Sequence, residues 1–95
     1  MQGAINAALE GLVRGMALEF SPVRVNAVSP GTIRTPLWDG MDDDKREAMF
    51  ASVAGKVPAK RVGEPEDVAR AVLYAAATPF TTGSTIIVDG GASIG

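Results

Sequence analysis

Apolar residues recur every three or four positions along the first twenty residues, a spacing that predicts one amphipathic helix over residues 1–20. We expect the helix to end at Ser21, because the proline that follows disfavours helical backbone in the residue before it. The large apolar side chains that share one face of this helix are Ile5, Leu9, Leu12, Met16 and Phe20.

A second stripe of the same helix carries only small residues, at intervals of four: Gly3, Ala7, Gly11 and Gly15. Each glycine inside a helix costs about 1 kcal/mol relative to alanine, so the stripe indicates unusually close packing. Two partners fit this stripe equally well, namely the chain's own sheet and a helix of another subunit.

Two short apolar runs predict β-strands, over residues 23–28 and 84–88. The first run is almost continuously apolar, which is typical of strands covered on both faces in parallel sheets. Two helices are predicted between the strands. One covers residues 45–54 and starts with a capping box formed by Asp44 and Glu47, and the other starts at Pro65 with acids in its first turn.

The order helix, strand, helix, helix, strand predicts an α/β fold in a single domain over residues 1–95. Strands connected through helices are expected to be parallel neighbours joined by a right-handed crossover. In open α/β sheets ligands bind off the carboxyl ends of the strands, so residues 29–35 occupy the functional position. An ordinary strand-to-loop turn explains the same Ser-Pro-Gly run, and this alternative stays open.

Composition excludes several classes of function. The chain has no cysteine and no histidine, which excludes disulfide frameworks and thiolate metal sites and removes the commonest metal ligand and general base. A net charge of −2 without a basic block argues against nucleic-acid binding. The longest wholly apolar run, residues 71–77, is far short of the ~20 residues that span a bilayer, and no signal peptide is evident. We expect a cytoplasmic protein that does not bind membranes.

Two further features permit a chemical or a structural interpretation. The adjacent acids Asp42, Asp43 and Asp44 are compatible with a metal site, but no calcium-loop pattern follows them, so we favour helix capping and predict no metal site. Tyr74, the only tyrosine, lies within an apolar helical pattern, and we expect its side chain in the core or on a buried helix face.

Four sequence blocks carry a resemblance to a known family. They are A-A-L-E-G-L at 7–12, N-A-V-S-P-G-T-I-R-T-P at 26–36, G-E-P-E-D-V-A at 63–69 and T-G-S-T-I-I-V-D-G-G at 82–91. In this order and spacing they closely resemble the C-terminal part of the short-chain dehydrogenase/reductase (SDR) family. The resemblance implies a partial Rossmann-like unit without the glycine-rich turn that holds a pyrophosphate.

The resemblance implies a vestigial cofactor-binding role for Pro30, Gly31, Ile33 and Thr35. In the family this loop borders the nicotinamide ring, with the backbone at Ile33 and the hydroxyl at Thr35 as contacts. Because half of the contacts are missing, we expect the chain alone to bind no cofactor. NAD or NADP is expected only if a partner completes the site.

The catalytic tyrosine and lysine of the family align with Gln2 and Asn6. An amide does not titrate near neutral pH and cannot exchange a proton with a carbonyl oxygen as hydride moves. We therefore predict no catalytic residue, and an SDR-like protein without stand-alone activity that folds as a self-associating module. The alternative is an NAD(P)-dependent oxidoreductase, or the C-terminal part of one, that is active only with the N-terminal half.

The resemblance also implies a lid and an incomplete sheet. The lid would be lined by the apolar residues Leu37, Trp38, Met41, Met49 and Phe50, although we favour packing of these residues on the body. In the parent fold the first and last helices are expected on one face, which leaves Ile86 and Val88, or their opposite-facing neighbours, bare. Because a two-stranded sheet is not expected to be stable alone, we predict a homo-oligomer, a dimer or a tetramer, or a complementing N-terminal chain.

Overall fold

The structure is a computed structural model that describes residues 2–94, with side chains from residue 3 onward. Three helices and two strands follow the predicted order: α1 (Gln2–Glu19), β1 (Ala27–Pro30), α2 (Asp43–Lys56), α3 (Pro65–Ala77) and β2 (Thr85–Val88). Short 3₁₀ turns lie at Pro36–Trp38 and Ala92–Ile94. Within residues 2–94, no helix has the length and apolar character needed to cross a membrane.

The two strands pair in parallel, with Ala27 opposite Thr85 and Pro30 opposite Val88, which confirms the α/β fold with parallel neighbours. The first strand lies further along the chain than the predicted 23–28. Residues 25 and 26 lie outside the ladder. The Val25 carbonyl accepts the Gly83 N–H at 2.7 Å, Thr82 Oγ1 accepts the Val25 N–H at 3.1 Å, and the Asn26 side chain accepts the Ser84 N–H.

Helices α1 and α3 lie on opposite faces of the sheet, so their expected placement on one face is wrong. Asn6 of α1 contacts Ser29 of β1, and Ser29 shares its face with Ile87. Arg70 of α3 lines a cavity together with Val88, whose side chain points to the other face. Both faces are thus partly covered: Ile86 and Val88 are half-buried instead of bare, whereas Ile87 on the opposite face is 39% exposed.

The face of α1 that packs on the sheet is made of Asn6, Val13 and Ala17. The large apolar residues Ile5, Leu12 and Met16 are exposed on this helix, and so is Phe20 directly after it. The small stripe is open as well, because a methyl group added at Gly3, Gly11 or Gly15 would meet nothing within 4 Å. The stripe therefore does not pack on the chain's own sheet.

Two predictions about helix starts have different outcomes. The capping box at Asp44 and Glu47 is wrong: α2 starts after Asp42, which makes no side-chain cap, and Glu47 bonds Arg34 instead. A capping box is present at α3, where Asp67 accepts the Glu64 N–H at 2.8 Å, and Pro65 opens the helix as predicted.

Tyr74 lies on the outer side of α3 with 59% of its surface exposed, so its predicted burial is wrong. The helix turns Ala75 toward the body instead, because the small side chain allows close packing. Among residues 3–94 few apolar residues are buried: Val13, Ala17, Phe50, Val57, Val62 and Ala75. Such a small core gives the fold a narrow margin of stability.

Candidate functional site

The segment of residues 30–35 continues from the carboxyl end of β1, where the parallel sheet predicts a ligand position. Pro30 is the last residue of the ladder, and the Gly31 N–H donates to the Val88 carbonyl at 2.9 Å. A Cβ at Gly31 would lie 2.9 Å from Cα and Cβ of Asp89. The glycine is therefore required by the close approach of the two strand ends, independently of any ligand.

Ile33 and Thr35 continue this segment, and the backbone of Ile33 is held by contacts with neighbouring residues. Ile33 forms an isolated bridge with Gly63, and its carbonyl accepts the indole N–H of Trp38 at 2.9 Å. Thr35 starts the first 3₁₀ turn with an extended backbone, and its hydroxyl makes no cap to that turn. The structure brings the four predicted cofactor-loop residues into one segment, and their role in binding stays a prediction.

Asn6, which the sequence resemblance aligns with the family's lysine, lies on the face of α1 that meets β1. The side chain is only 4% exposed, and its Oδ1 accepts the Ser29 hydroxyl at 2.8 Å. Among the described residues its Nδ2 has no hydrogen-bond partner. Gln2, which the resemblance aligns with the tyrosine, lies one turn earlier in α1, and its side chain is outside the described part. The structure thus buries a neutral amide between α1 and β1, and its alignment with the family's lysine stays a prediction.

The predicted lid packs partly on the body. Phe50 of α2 is 2% exposed and meets Trp38 edge to face, with ring centroids 6.2 Å apart. The guanidinium of Arg34 lies 4.4 Å from the centre of the Phe50 ring. Leu37, in contrast, is 82% exposed. The aromatic residues therefore anchor α2 to the segment that follows β1, as favoured from the sequence.

Charged side chains surround this anchor. Arg34 bonds Glu47 at 2.8 Å, and this hydrogen bond lowers the pKa of the Glu47 carboxyl below its usual value and raises the pKa of the guanidinium. Arg61 donates to both carboxylate oxygens of Asp67, at 2.8 and 3.1 Å. Together with the Glu64 N–H, it holds the pKa of Asp67 far below its ordinary range.

Two cavities border these charges. A wide cleft of about 670 Å³ lies between α2 and the start of α3, and it is lined by the residues of both charge clusters and by Phe50. A narrower cavity of about 180 Å³ lies at the carboxyl end of β2, below Thr32 and Ile33. In the described part of the chain, no three acidic side chains converge as a metal site would require.

Sequence reasoning missed two features of the site. The contact between Asn6 and Ser29 joins residues far apart in sequence, and no local pattern indicates it. Asp89 caps the turn after β2 by accepting the N–H groups of Gly91 and Ser93. Burial raises the pKa of Asp89, but these hydrogen bonds outweigh burial and lower it overall. The Asp-Gly-Gly run that contains it is a turn signal that could have found this cap.

Comparison with known proteins places this geometry in a family. The family model described as enoyl-(acyl carrier protein) reductase matches residues 1–93. A short-chain dehydrogenase/reductase of Malbranchea aurantiaca is 37% identical over 87% of this chain and 31% of its own length. The chain belongs to the short-chain dehydrogenase/reductase family. Glucose 1-dehydrogenase of Gluconobacter oxydans is another SDR relative, 38% identical over 96% of this chain and 35% of its own length.

Solved SDR structures share the fold. The crystal structure of a small-chain dehydrogenase in complex with NADPH superposes with a TM-score of 0.86 and 44% identity, over 97% of this chain and 42% of that chain. The SDR segment described here spans about a third of the length of the curated relatives it matches.

Proposed function

We propose that this SDR segment transfers no hydride by itself and folds as a self-associating module. The observation that carries the first half is Asn6, a buried amide hydrogen-bonded to Ser29 where the family has a lysine. An amide supplies neither a proton nor a positive charge that would acidify a neighbouring phenol. The segment also has no glycine-rich turn for a pyrophosphate.

Exposed apolar surface supports self-association. Leu12 and Met16 are exposed on the outer side of α1, and Leu73 and Tyr74 are exposed on α3. Apolar surface of this kind on a small chain marks an interaction site. A two-stranded sheet also leaves both edges open to a further strand. A dimer or tetramer of this chain would cover both types of surface.

Sedimentation equilibrium across a dilution series tests self-association. We expect a defined dimer or tetramer at micromolar concentration, and its dissociation in a Leu12→Glu variant if α1 forms the interface. Leu73→Glu on α3 is the matched variant, since it introduces the same charge on the other helix. A stable, folded monomer of the unchanged protein at micromolar concentration would contradict the proposal.

The second candidate is an NAD(P)-dependent oxidoreductase, active only when the remaining part of the SDR fold is supplied. It is favoured by the loop of residues 30–35, whose Thr35 hydroxyl is not used as a helix cap. In such an assembly Pro30, Gly31, Ile33 and Thr35 would border the nicotinamide cofactor, which supplies the hydride. Asn6 would contribute a hydrogen-bond donor there and no charge.

A chimera separates the two candidates. The first two thirds of the Gluconobacter glucose 1-dehydrogenase would be fused to this chain, and NADP⁺ or NAD⁺ reduction with glucose would be followed by absorbance. We expect no turnover with the unchanged segment and measurable turnover after Gln2→Tyr with Asn6→Lys. Cofactor binding by both chimeras, measured by titration, is the control for folding. Turnover with the unchanged segment would support the second candidate over the first.

A further inference from the structure

Helix α2 is attached to the segment after β1, and near its C-terminal end Val53 and Val57 line a cavity together with Val88 of β2. Its buried Phe50 packs against Trp38 and Arg34, both of which belong to that segment. Its Glu47 bonds Arg34 at 2.8 Å. The contacts of α2 with this segment come from a few side chains, so the helix can open locally while the strand pair stays intact.

Arg34 is the residue on which these contacts converge. Its guanidinium pairs with Glu47 of α2, lies 3.6 Å from Glu64 at the start of α3, and stacks over Phe50. Its backbone N–H donates to the Gly63 carbonyl at 2.9 Å. One side chain therefore links α2, the start of α3 and the loop that follows β1.

Arg34 also lies between Ile33 and Thr35, the two residues proposed to face a cofactor. Peptide planes on either side of a fixed side chain lose rotational freedom, so the contacts of Arg34 restrict the orientation of its two neighbours. Release of α2 would remove the Glu47 and Phe50 contacts and would loosen the Ile33 and Thr35 backbones at the same time.

We propose that Arg34 is a positioning residue that pins α2 to the loop of residues 31–35, so that closure of α2 and order in this loop are one event. The pin is electrostatic on one side, through Glu47 and Glu64, and aromatic on the other, through Phe50. The proposal goes beyond the presence or absence of hydride transfer, because it concerns the coupling of two segments within this chain. It holds for the oligomer as well as for a completed SDR fold.

Hydrogen exchange of the purified protein, measured by mass spectrometry, tests the pin. In Arg34→Gln we expect amides of residues 43–56 and 31–41 to exchange about tenfold faster, the combined effect of one lost ion-pair cluster and one lost cation–π contact. Amides of α3 and β2 should stay within about twofold of the unchanged protein, as expected for local opening. Arg70→Gln is the matched control, because Arg70 is an exposed arginine at the same cleft whose ion pair with Asp67 lies within α3.

A charge exchange distinguishes a pin from a general packing role. Arg34→Glu should release α2 more than Arg34→Gln, because it brings a third carboxylate beside Glu47 and Glu64. The double variant Arg34→Glu with Glu47→Arg should restore slow exchange in α2 to within about threefold of the unchanged protein, by re-forming one close pair. Unchanged exchange in Arg34→Gln, equal acceleration in α3 and β2, or failure of the double variant to slow exchange would each overturn the proposal.

Discussion

The hydroxyl of Ser29 donates a 2.8 Å hydrogen bond to the side-chain oxygen of Asn6, and this bond joins the sheet to α1 in the interior of the fold. Both side chains are buried. Loss of Ser29 would leave the oxygen of Asn6 without its partner, in addition to the nitrogen that already has none in the described part of the chain. Unpaired buried polar groups are costly, so the two residues should be energetically coupled.

A double-mutant cycle measures this coupling. We expect Ser29→Ala to lower the free energy of unfolding by about 1–3 kcal/mol. The pair Ser29→Ala with Asn6→Ala should cost about 1 kcal/mol less than the sum of the single variants, because it removes both partners together. Urea denaturation followed by circular dichroism provides the four free energies. Strictly additive costs would show that the bond does not contribute to stability.

Gly31 is expected to tolerate no side chain. Its Cβ would meet backbone and side-chain atoms of Asp89 at 2.9 Å, so Gly31→Ala should force the strand ends apart and destabilise the fold by about 1–3 kcal/mol. Gly55→Ala is the matched control in α2, where the added methyl meets nothing within 4 Å. That control should instead stabilise the helix, by up to about 1 kcal/mol. Equal effects of the two substitutions on urea unfolding would refute the steric explanation.

Arg24 is expected to stabilise the end of α3. Its guanidinium donates to the carbonyls of Ala75 and Ala76, at 2.8 and 3.0 Å, and to two carbonyls of the following turn. The carbonyls of Ala75 and Ala76 lie in the last turn of α3, where carbonyls lack partners within the helix and a positive charge is also favourable. Arg24→Ala should lower the free energy of unfolding by about 1–2 kcal/mol.

The free energy of unfolding of Arg24→Lys should lie between those of Arg24→Ala and the unchanged protein, since an ammonium keeps the charge but cannot reproduce the planar set of donors. Arg70→Ala removes the same charge from the outer side of α3 and should change stability by less than about 0.5 kcal/mol. The measurement is again urea unfolding. A lysine variant as unstable as the alanine variant would show that the stabilisation depends on the planar set of donors. A lysine variant as stable as the unchanged protein would show that it depends on charge alone.

Asp67 should make stability depend on pH in the acid range. Its pKa is lowered in the folded state by the Arg61 hydrogen bonds, with a further contribution from the Glu64 N–H. A lowered folded pKa contributes stability that is complete above the unfolded pKa of about 3.9 and is lost as the pH falls toward the folded pKa. The Tm difference between the unchanged protein and Asp67→Asn should therefore be constant at neutral pH and shrink below about pH 4.

The comparison needs a control for the removal of one negative charge from the first turn of α3. Glu66→Gln provides it, because Glu66 has no ion-pair partner among the described residues. Thermal unfolding of the three proteins between pH 7 and pH 2.5 gives the required curves. If the Asp67→Asn difference does not change with pH, the ion pair with Arg61 does not carry the effect.

Local chemistry in the sequence was enough to predict the elements whose ends are determined by neighbouring residues. Pro65 and the acids that follow it mark the start of α3 because they act within one helical turn. The parallel pairing of the strands follows from the helices between them. The predicted start of α2 failed at Glu47, because a long-range contact with Arg34 competed with a local cap and prevailed.

The buried face of α1 could not be predicted from periodicity. Two stripes of this helix are apolar, and their spacing does not show which side of the helix is buried. The sheet selects neither of them but a third face with Val13 and Ala17, whose small side chains allow α1 to approach closely, and the larger Leu12 and Met16 stay outside. The same competition explains Tyr74, since Ala75 next to it offers the closer packing distance. The role of residues 30–35 came from the family resemblance and not from turn chemistry.

The parallel ladder also has a consequence for how fast the chain folds. Asn26 and Ser84, which bond at the edge of the ladder, are 58 residues apart in sequence, so a long loop must close before the first strand pair forms. Since α1 and α3 pack on the strands from opposite faces, neither can dock until that pair exists. We expect one slow refolding phase in stopped-flow experiments, in which the sheet and both helices become ordered together, at a rate typical of non-local topologies.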